Sequence, residues 1–367
     1  MNAGRLGKVA VLVLAGLVVG LGPGGPSAYA ADAVTDGQWY VKALHLTVAN
    51  ELSQGEGVKV AVIDTGVDAT HPDIAGSVVA GTDLTGLGTS DGFTDVDGHG
   101  TSMASLIVGH GRIKGVAPKA TVVAVRAATG LNSSSTKTGE AVRWAIAQKI
   151  KVISISQAYA EDDLVLRQAI AAAVAADIVV VAGAGNKPQA THVMFPAAYT
   201  GVLAVSGTDD QGQLSSKSAT GPEVVVAAPS DHVSVAYKSH TRVSTTGTSN
   251  STALVAGTVA LLRSKYPDAR AADIIEMLTS TATDKGAAGR DEQFGFGLVD
   301  PAAALRSSSP ATAPSASKTT SARTTAEAAP LSDSSLPVGL IALILFGLLM
   351  LAIVAVFLVV RAVGWGS

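Results

Sequence analysis

The sequence predicts an α/β fold: a doubly wound, mostly parallel central sheet flanked by helices, plus one C-terminal transmembrane helix. Three observations predict it. Short β-branched runs such as Val58–Ile63 and Ile178–Ala182 alternate with helix-period segments, as in strand–helix–strand units. Those runs are apolar throughout rather than alternating, as strands buried on both faces are. Finally, Val338 to Val360 is an uncharged apolar run. At about 1.5 Å rise per residue it crosses a bilayer core of about 30 Å.

Composition narrows the function classes. The chain has 367 residues, is 15% charged and carries a net charge of −3. Nothing in that balance suggests a nucleic-acid partner. With no cysteine, a disulfide framework, a thiolate metal site and a cysteine nucleophile are all excluded.

The two ends read as targeting segments. Residues 1–30 have the form of a signal peptide: Arg5 and Lys8, the apolar stretch Val9 to Leu21, then Ala28-Tyr29-Ala30 as a cleavage site. The stretch is short for an uncleaved anchor. Residues 31–57 form an N-terminal extension and residues 58–306 the main domain. Residues 307–336, rich in Ser, Thr, Ala and Pro, are a linker unable to bury enough apolar surface to order itself. Residues 337–361 hold the transmembrane helix and residues 362–367 a cytoplasmic tail. Arg361 places that side inside by the positive-inside rule, so the main domain is extracellular.

Within the main domain, Val58 to Ile63 is the first strand, with Asp64 at its C-terminal tip. A carboxylate there is either a turn Asp or an orienting acid. Pro72 restricts His71 to an extended shape in His71-Pro72-Asp73. Thr85 to Gly98 is a Gly/Asp-rich loop. Its Asp91, Asp95 and Asp97 could offer oxygens to calcium, but their spacing completes no calcium loop, and a solvated acidic loop is the simpler reading. The site therefore calls for no metal and no cofactor. His99, flanked by Gly98 and Gly100, precedes a helical run, Met103 to Val108.

Strands follow at Thr121 to Ala127, Val152 to Ser156, Ile178 to Ala182, Val202 to Ser206 and Val224 to Pro229. Helices are predicted at Glu140 to Lys149, Leu164 to Ala176 and Ala271 to Thr281. Between them, Thr246 to Thr252 is a small-residue turn feeding an apolar helix, Ala253 to Leu262. Ser249 in this turn reads as a helix N-cap or as a nucleophile placed where free backbone N–H groups favour an oxyanion. An acid, a His and a Ser, each at the edge of a buried element, are the parts of an oriented nucleophile.

Val62-Ile63-Asp64-Thr65-Gly66, His71-Pro72-Asp73, Gly98-His99-Gly100-Thr101 and Gly247-Thr248-Ser249 together resemble the subtilases, the subtilisin-type serine proteases, in the chain order Asp, His, Ser. The resemblance covers roughly residues 40 to 305. With Gln38 to Leu46 and the two targeting ends, the chain is most similar to the mycosins, membrane-anchored subtilases that accompany type VII secretion in actinobacteria. The resemblance implies Asp64, His99 and Ser249 as a catalytic triad and Asn186, after Gly183-Ala184-Gly185, as the oxyanion-hole amide. Without it, Asn186 reads as a turn residue. It implies Ser156, Gln157 and Ala158 as substrate-binding, where the family has Ser-Leu-Gly, and Ala158 narrows that wall. Ser102 stands where the family often has a second His, and Ala253 where it usually has Pro. The expected partners are a protein or peptide substrate, membrane proteins of a secretion complex and the membrane itself. The expected activity is that of a serine endopeptidase; the alternative is a scaffolding subunit on the same fold. An α/β-hydrolase esterase is excluded, because Ser249 lacks G-x-S-x-G and the chain order differs.

Overall fold

The computed structural model describes residues 33–307 apart from residue 131. The chain opens with short helices α1 (Tyr40–Ala43) and α2 (Leu46–Leu52), followed by β1 (Lys59–Asp64), β2 (Val78–Asp83) and α3 (His99–Val108). Next come β3 (Thr121–Arg126), the two-residue pair β4 (Ala128–Thr129) and β5 (Asn132–Ser133), α4 (Ser135–Ala147), β6 (Val152–Ile155), α5 (Leu164–Ala175) and β7 (Val179–Gly183). The remainder is β8 (Leu203–Thr208), β9 (Val226–Pro229), the hairpin β10 (Val233–Tyr237) and β11 (Thr241–Thr245), α6 (Thr248–Lys265), α7 (Ala271–Ser280) and α8 (Pro301–Arg306).

Seven strands form one sheet in the order β2-β3-β1-β6-β7-β8-β9, every pair parallel. Side-chain alternation along β1 feeds two cores. Val60 and Val62 pack with Leu106 and Ile107 of α3 and Leu254 and Val259 of α6. Ala61 and Ile63 pack with Val142 of α4 and Leu166 and Ile170 of α5 on the opposite face. The apolar runs are thus explained: each strand is covered on both sides. Helix α6 is buried almost all round, from Asn250 to Arg263, and so shows no amphipathic stripe.

The chain leaves β1 to build β2 and β3 on one side, then crosses back to build β6 to β9 on the other. Beside β1 the winding reverses, which opens a crevice at the carboxyl ends of the strands. Asp64 ends β1 there, Ser156 follows β6, and Asn186 follows β7 by three residues.

The segment before β1 belongs to the same packed body. Tyr40 and Leu44 are fully buried, and Tyr40 Oη donates to Lys114 O at 2.8 Å. Trp39 Nε1 donates to Asp231 O at 3.0 Å and Asn50 Nδ2 to Val116 O at 2.8 Å. Among the described residues no helix is long and apolar enough to cross a membrane. The stretches read from the sequence as a signal peptide (1–30), a linker (307–336) and a transmembrane helix (337–361) lie outside the described residues, save residue 307.

Candidate active site

The site is assembled from a strand end and two helix starts. Asp64 is wholly buried at the tip of β1. His99 is the first residue of α3, about one turn earlier than apolar periodicity suggests, because Gly98 takes a left-handed φ of 96° and lets the chain turn sharply into the helix. His99 Nδ1 meets Asp64 Oδ1 at 2.7 Å, with the imidazole 34% exposed and the carboxylate 1%. Thr65 N also donates to Asp64 Oδ1, at 2.8 Å. Burial alone would depress the imidazole's pKa. The Asp64 charge and hydrogen bond outweigh that, Asp97 and Asp95 add to them, and together they push it up to about 9.

Ser249 is the second residue of α6, inside the helix rather than capping it. No side chain caps α6 at Gly247. The cap is supplied from the loop after β7: Asn186 Oδ1 accepts from Thr248 N at 2.9 Å and from Thr248 Oγ1 at 3.2 Å. That clamp commits the oxygen of the Asn186 amide and leaves its Nδ2 without a protein acceptor among the described residues. The Ser249 N–H is likewise free of a protein acceptor there, at the positive end of the α6 dipole.

The position where the family's proline is absent is held by polar side chains instead. Asn250 Nδ2 donates to Ser230 O at 2.9 Å. Ser251 Oγ bonds Ala228 O and Pro229 O at 2.9 and 3.0 Å, and Thr252 Oγ1 bonds Thr248 O at 2.8 Å. All three residues are at most 1% exposed, so the start of α6 is tied to the end of β9 by buried, satisfied bonds. Ser102, at the place of the second His, donates to Gly98 O and Ala236 O and joins α3 to the hairpin.

A cleft of two lobes runs past these groups. One, of about 340 Å³, is lined by Ser102, Met103, Tyr237, Thr245 and Asn250. The other, of about 400 Å³, is lined by Gly130, Ser133, Ser156, Gln157, Ala158 and Met194. Asp97, His99, Asn186 and Ser249 line both, so they mark the seam. The structure thus brings all seven residues singled out from the sequence to one place, with Asp64 behind His99. No hydrogen bond joins Ser249 to His99 among the described residues, a common state before substrate binds. Tyr237 and Thr245 were not foreseen, because the hairpin carrying them was not, and Asp97 was read only as a loop acid. Its position two residues before His99 was the available signal. Asp91, Asp95 and Asp97 face different partners, and no group of three or more acidic or His side chains among the described residues is arranged to hold a metal ion.

Such an arrangement can deliver an activated hydroxyl to a carbonyl and receive the resulting negative charge. Known proteins agree with that chemistry. The profile of the subtilase family, peptidase S8, matches residues 55–297. Subtilisin DY of Bacillus licheniformis is 37% identical over 260 residues, 69% of this chain and 92% of its own length. The minor extracellular protease Epr of Bacillus subtilis is 32% identical over 268 residues, 71% of this chain but only 41% of Epr, so the chain spans less than half of that relative. Among solved structures, the serine protease MycP1, described as an essential component of the type VII (ESX-1) secretion system, aligns with a TM-score of 0.67 and 30% identity, covering 73% of this chain and 88% of MycP1. Profile, relatives and fold converge, and the chain belongs to the subtilase family of serine endopeptidases.

Proposed function

We propose that this chain is an exported, membrane-anchored serine endopeptidase that works through Asp64, His99 and Ser249 and serves a type VII secretion system. The 2.7 Å His99–Asp64 pair, sharing its cleft with Ser249, carries the catalytic part of the reading. Ser249 Oγ attacks the scissile carbonyl while His99 Nε2 takes its proton. Nδ1–H remains on Asp64, which fixes the tautomer and stabilises the imidazolium. The oxyanion receives the Ser249 N–H and Asn186 Nδ2. His99 then protonates the leaving amine, and water clears the acyl-enzyme by the same route reversed. The signal-like segment 1–30 and the uncharged run 338–360 support export and a single-span anchor. The likeness to MycP1 supports the secretion context. Peptide hydrolysis by purified full-length protein, lost in Ser249→Ala with unchanged circular dichroism, is expected; hydrolysis that survives in Ser249→Ala would refute the assignment.

A scaffolding role is favoured by one observation, that MycP1 is described as an essential component of its secretion system. Complementing a deletion strain separates the two: secretion restored by Ser249→Ala assigns the requirement to the body of the protein, and secretion restored only by wild type assigns it to proteolysis.

A further inference from the structure

The amino end of the sheet carries a basic cavity of about 290 Å³ that the catalytic scheme does not use. Lys59 opens β1 there, while Asp64 closes the same strand at the cleft. At about 3.3 Å per residue the two sites lie about 17 Å apart along that strand. Lys149 and Lys151, in the turn before β6, and Arg263, near the end of α6, also line the cavity. Asp177 and Asp268 are the carboxylates in its wall. Four basic side chains against two carboxylates leave the lining with a net charge of +2.

The carboxylates do not cancel the cations evenly. Asp177 is committed within the wall: its Oδ2 lies 3.5 Å from both Lys151 Nζ and Arg263 Nη2, and its Oδ1 accepts from Ala271 N at 2.6 Å. The Arg263 side chain is only 5% exposed, and burial holds its pKa below the usual value despite the Asp177 charge. Lys59 and Lys149 are exposed and have no carboxylate partner among the described residues. Lys149 also holds a left-handed φ of 57°, a geometry that glycine takes without strain. The turn thus keeps a cation where backbone sterics favour no side chain at all. The described body ends beside this cavity. Tyr266, next to Pro267 in the wall, donates its Oη to Leu305 O at 3.0 Å and to Ser307 O at 2.8 Å. Ser307 is the last described residue, and the sequence runs on from it to the uncharged stretch 338–360.

We propose that this cavity binds the phosphate of an anionic phospholipid headgroup and docks the protease body on the membrane by the amino end of its sheet. The proposal rests on the membrane-anchor reading above. Lys59 and Lys149 supply free ammonium donors at the rim. Lys151 and Arg263, braced by Asp177, supply positive field behind them. A protein already anchored in the bilayer meets its headgroups at high effective concentration, so weak contacts suffice. Docked this way, the cleft at the carboxyl ends of the strands faces away from the lipid and stays open to substrate.

The test is hydrogen–deuterium exchange of the full-length protein in nanodiscs of phosphatidylcholine, alone or with about one third phosphatidylglycerol. In the anionic discs the amides of residues 57–59, 149–151 and 266–269 should exchange at least about 5-fold more slowly, the factor that one basic residue at an anionic surface is worth. The protection should fade in about 1 M NaCl, where charges are screened within about 3 Å. Lys59→Gln combined with Lys149→Gly should abolish it while the unfolding temperature stays within about 3 °C, because neither ammonium holds a carboxylate and glycine suits the turn. Asp268→Asn, which removes a carboxylate from the wall, should strengthen it. Equal exchange in the two kinds of disc overturns the proposal, as does lipid protection that survives in the double variant. The same protection given by inorganic phosphate in phosphatidylcholine discs assigns the cavity to a soluble anion and overturns the headgroup assignment. A full-length protein that does not enter discs overturns the anchor reading as well. One that enters them and gains no protection overturns the headgroup site alone.

Discussion

Replacing Asp64 by Asn tests the electrostatics of the site in a single pH series. In the wild type, burial opposes protonation of His99, and the carboxylates around it prevail, pushing its pKa from 6.5 up to about 9. One third of the imidazole meets water, which screens that attraction, so the acid limb of kcat/KM falls above 6.5 and at or below about 9. His99 must be neutral to accept the Ser249 proton, so activity rises with pH through this limb. With a limb at pH 9 the neutral fraction grows about 50-fold between pH 7 and 9; with one at 7.5 it grows about 4-fold. Asp64→Asn removes the charge but keeps the shape. Its acid limb should move down toward or below 6.5, leaving kcat/KM nearly flat from pH 7 to 9. The plateau should fall by about 10⁴, because the amide favours the wrong tautomer. The assay is initial-rate hydrolysis of one peptide substrate from pH 5.5 to 10 at concentrations well below KM. An acid limb that stays in place in Asp64→Asn would refute the assignment of Asp64 as the group holding the His99 proton.

Three further perturbations address the scaffold of the site. Asn186→Ala removes an oxyanion donor and should lower kcat by about 10²–10³ with little change in KM, the loss that the corresponding substitution costs subtilisin, a relative of this chain. Gly100→Ala would drive a Cβ into the Gly66 carbonyl oxygen, with Asp64 Cβ only 3.1 Å away. It should cost about 1–3 kcal/mol in urea unfolding and reduce kcat more than 10-fold by displacing His99. The third concerns Asp73, 1% exposed and held by Arg242 through bonds of 2.7 and 2.8 Å. Burial would raise its pKa, but the Arg242 guanidinium and the Arg112 N–H overcome that and lower it. A carboxyl whose folded pKa is depressed stabilises the protein above its unfolded value near 4, and that stability fades as pH falls through the folded value. Asp73→Asn should therefore lose about 3 kcal/mol at pH 7 by thermal unfolding, with the gap from wild type closing as pH falls below the ordinary carboxylate range.

The legible parts of this protein are those whose local chemistry states their role. The β-branched run of β1 and the small-residue turn into α6 announce a buried strand and a buried helix, and both are found within a few residues of their expected ends. The first turn of α3 was not legible, because Gly98, His99 and Gly100 carry poor helix propensity and the turn is set by tertiary contacts. Strand β2 was missed because it lies at the sheet edge, half exposed and interrupted by Gly81, so it lacks the apolar run of its neighbours. The β10–β11 hairpin was missed for a different reason. Its tip, Ser239-His240, holds φ of 56° and 58°, the left-handed geometry of a turn usually made by Asn-Gly. His71 pins this unusual tip, with Nε2 at 3.0 Å from Thr241 O, beside the Asp73–Arg242 pair. Tyr237 and Thr245 come to the cleft on that hairpin, so one lobe was invisible until long-range contacts were known. Asp64, His99, Ser249 and Asn186 were found through motif order, since periodicity alone leaves each as a turn or cap residue.

The most direct test of the central claim is reaction of the purified protein with a fluorophosphonate, with the modified residue located by mass spectrometry in wild type and in Ser249→Ala. The account predicts a single adduct on Ser249 in wild type, formed faster as pH rises through the His99 limb, and none in folded Ser249→Ala. An adduct on another residue, or a folded wild type that forms none at any pH, would contradict it.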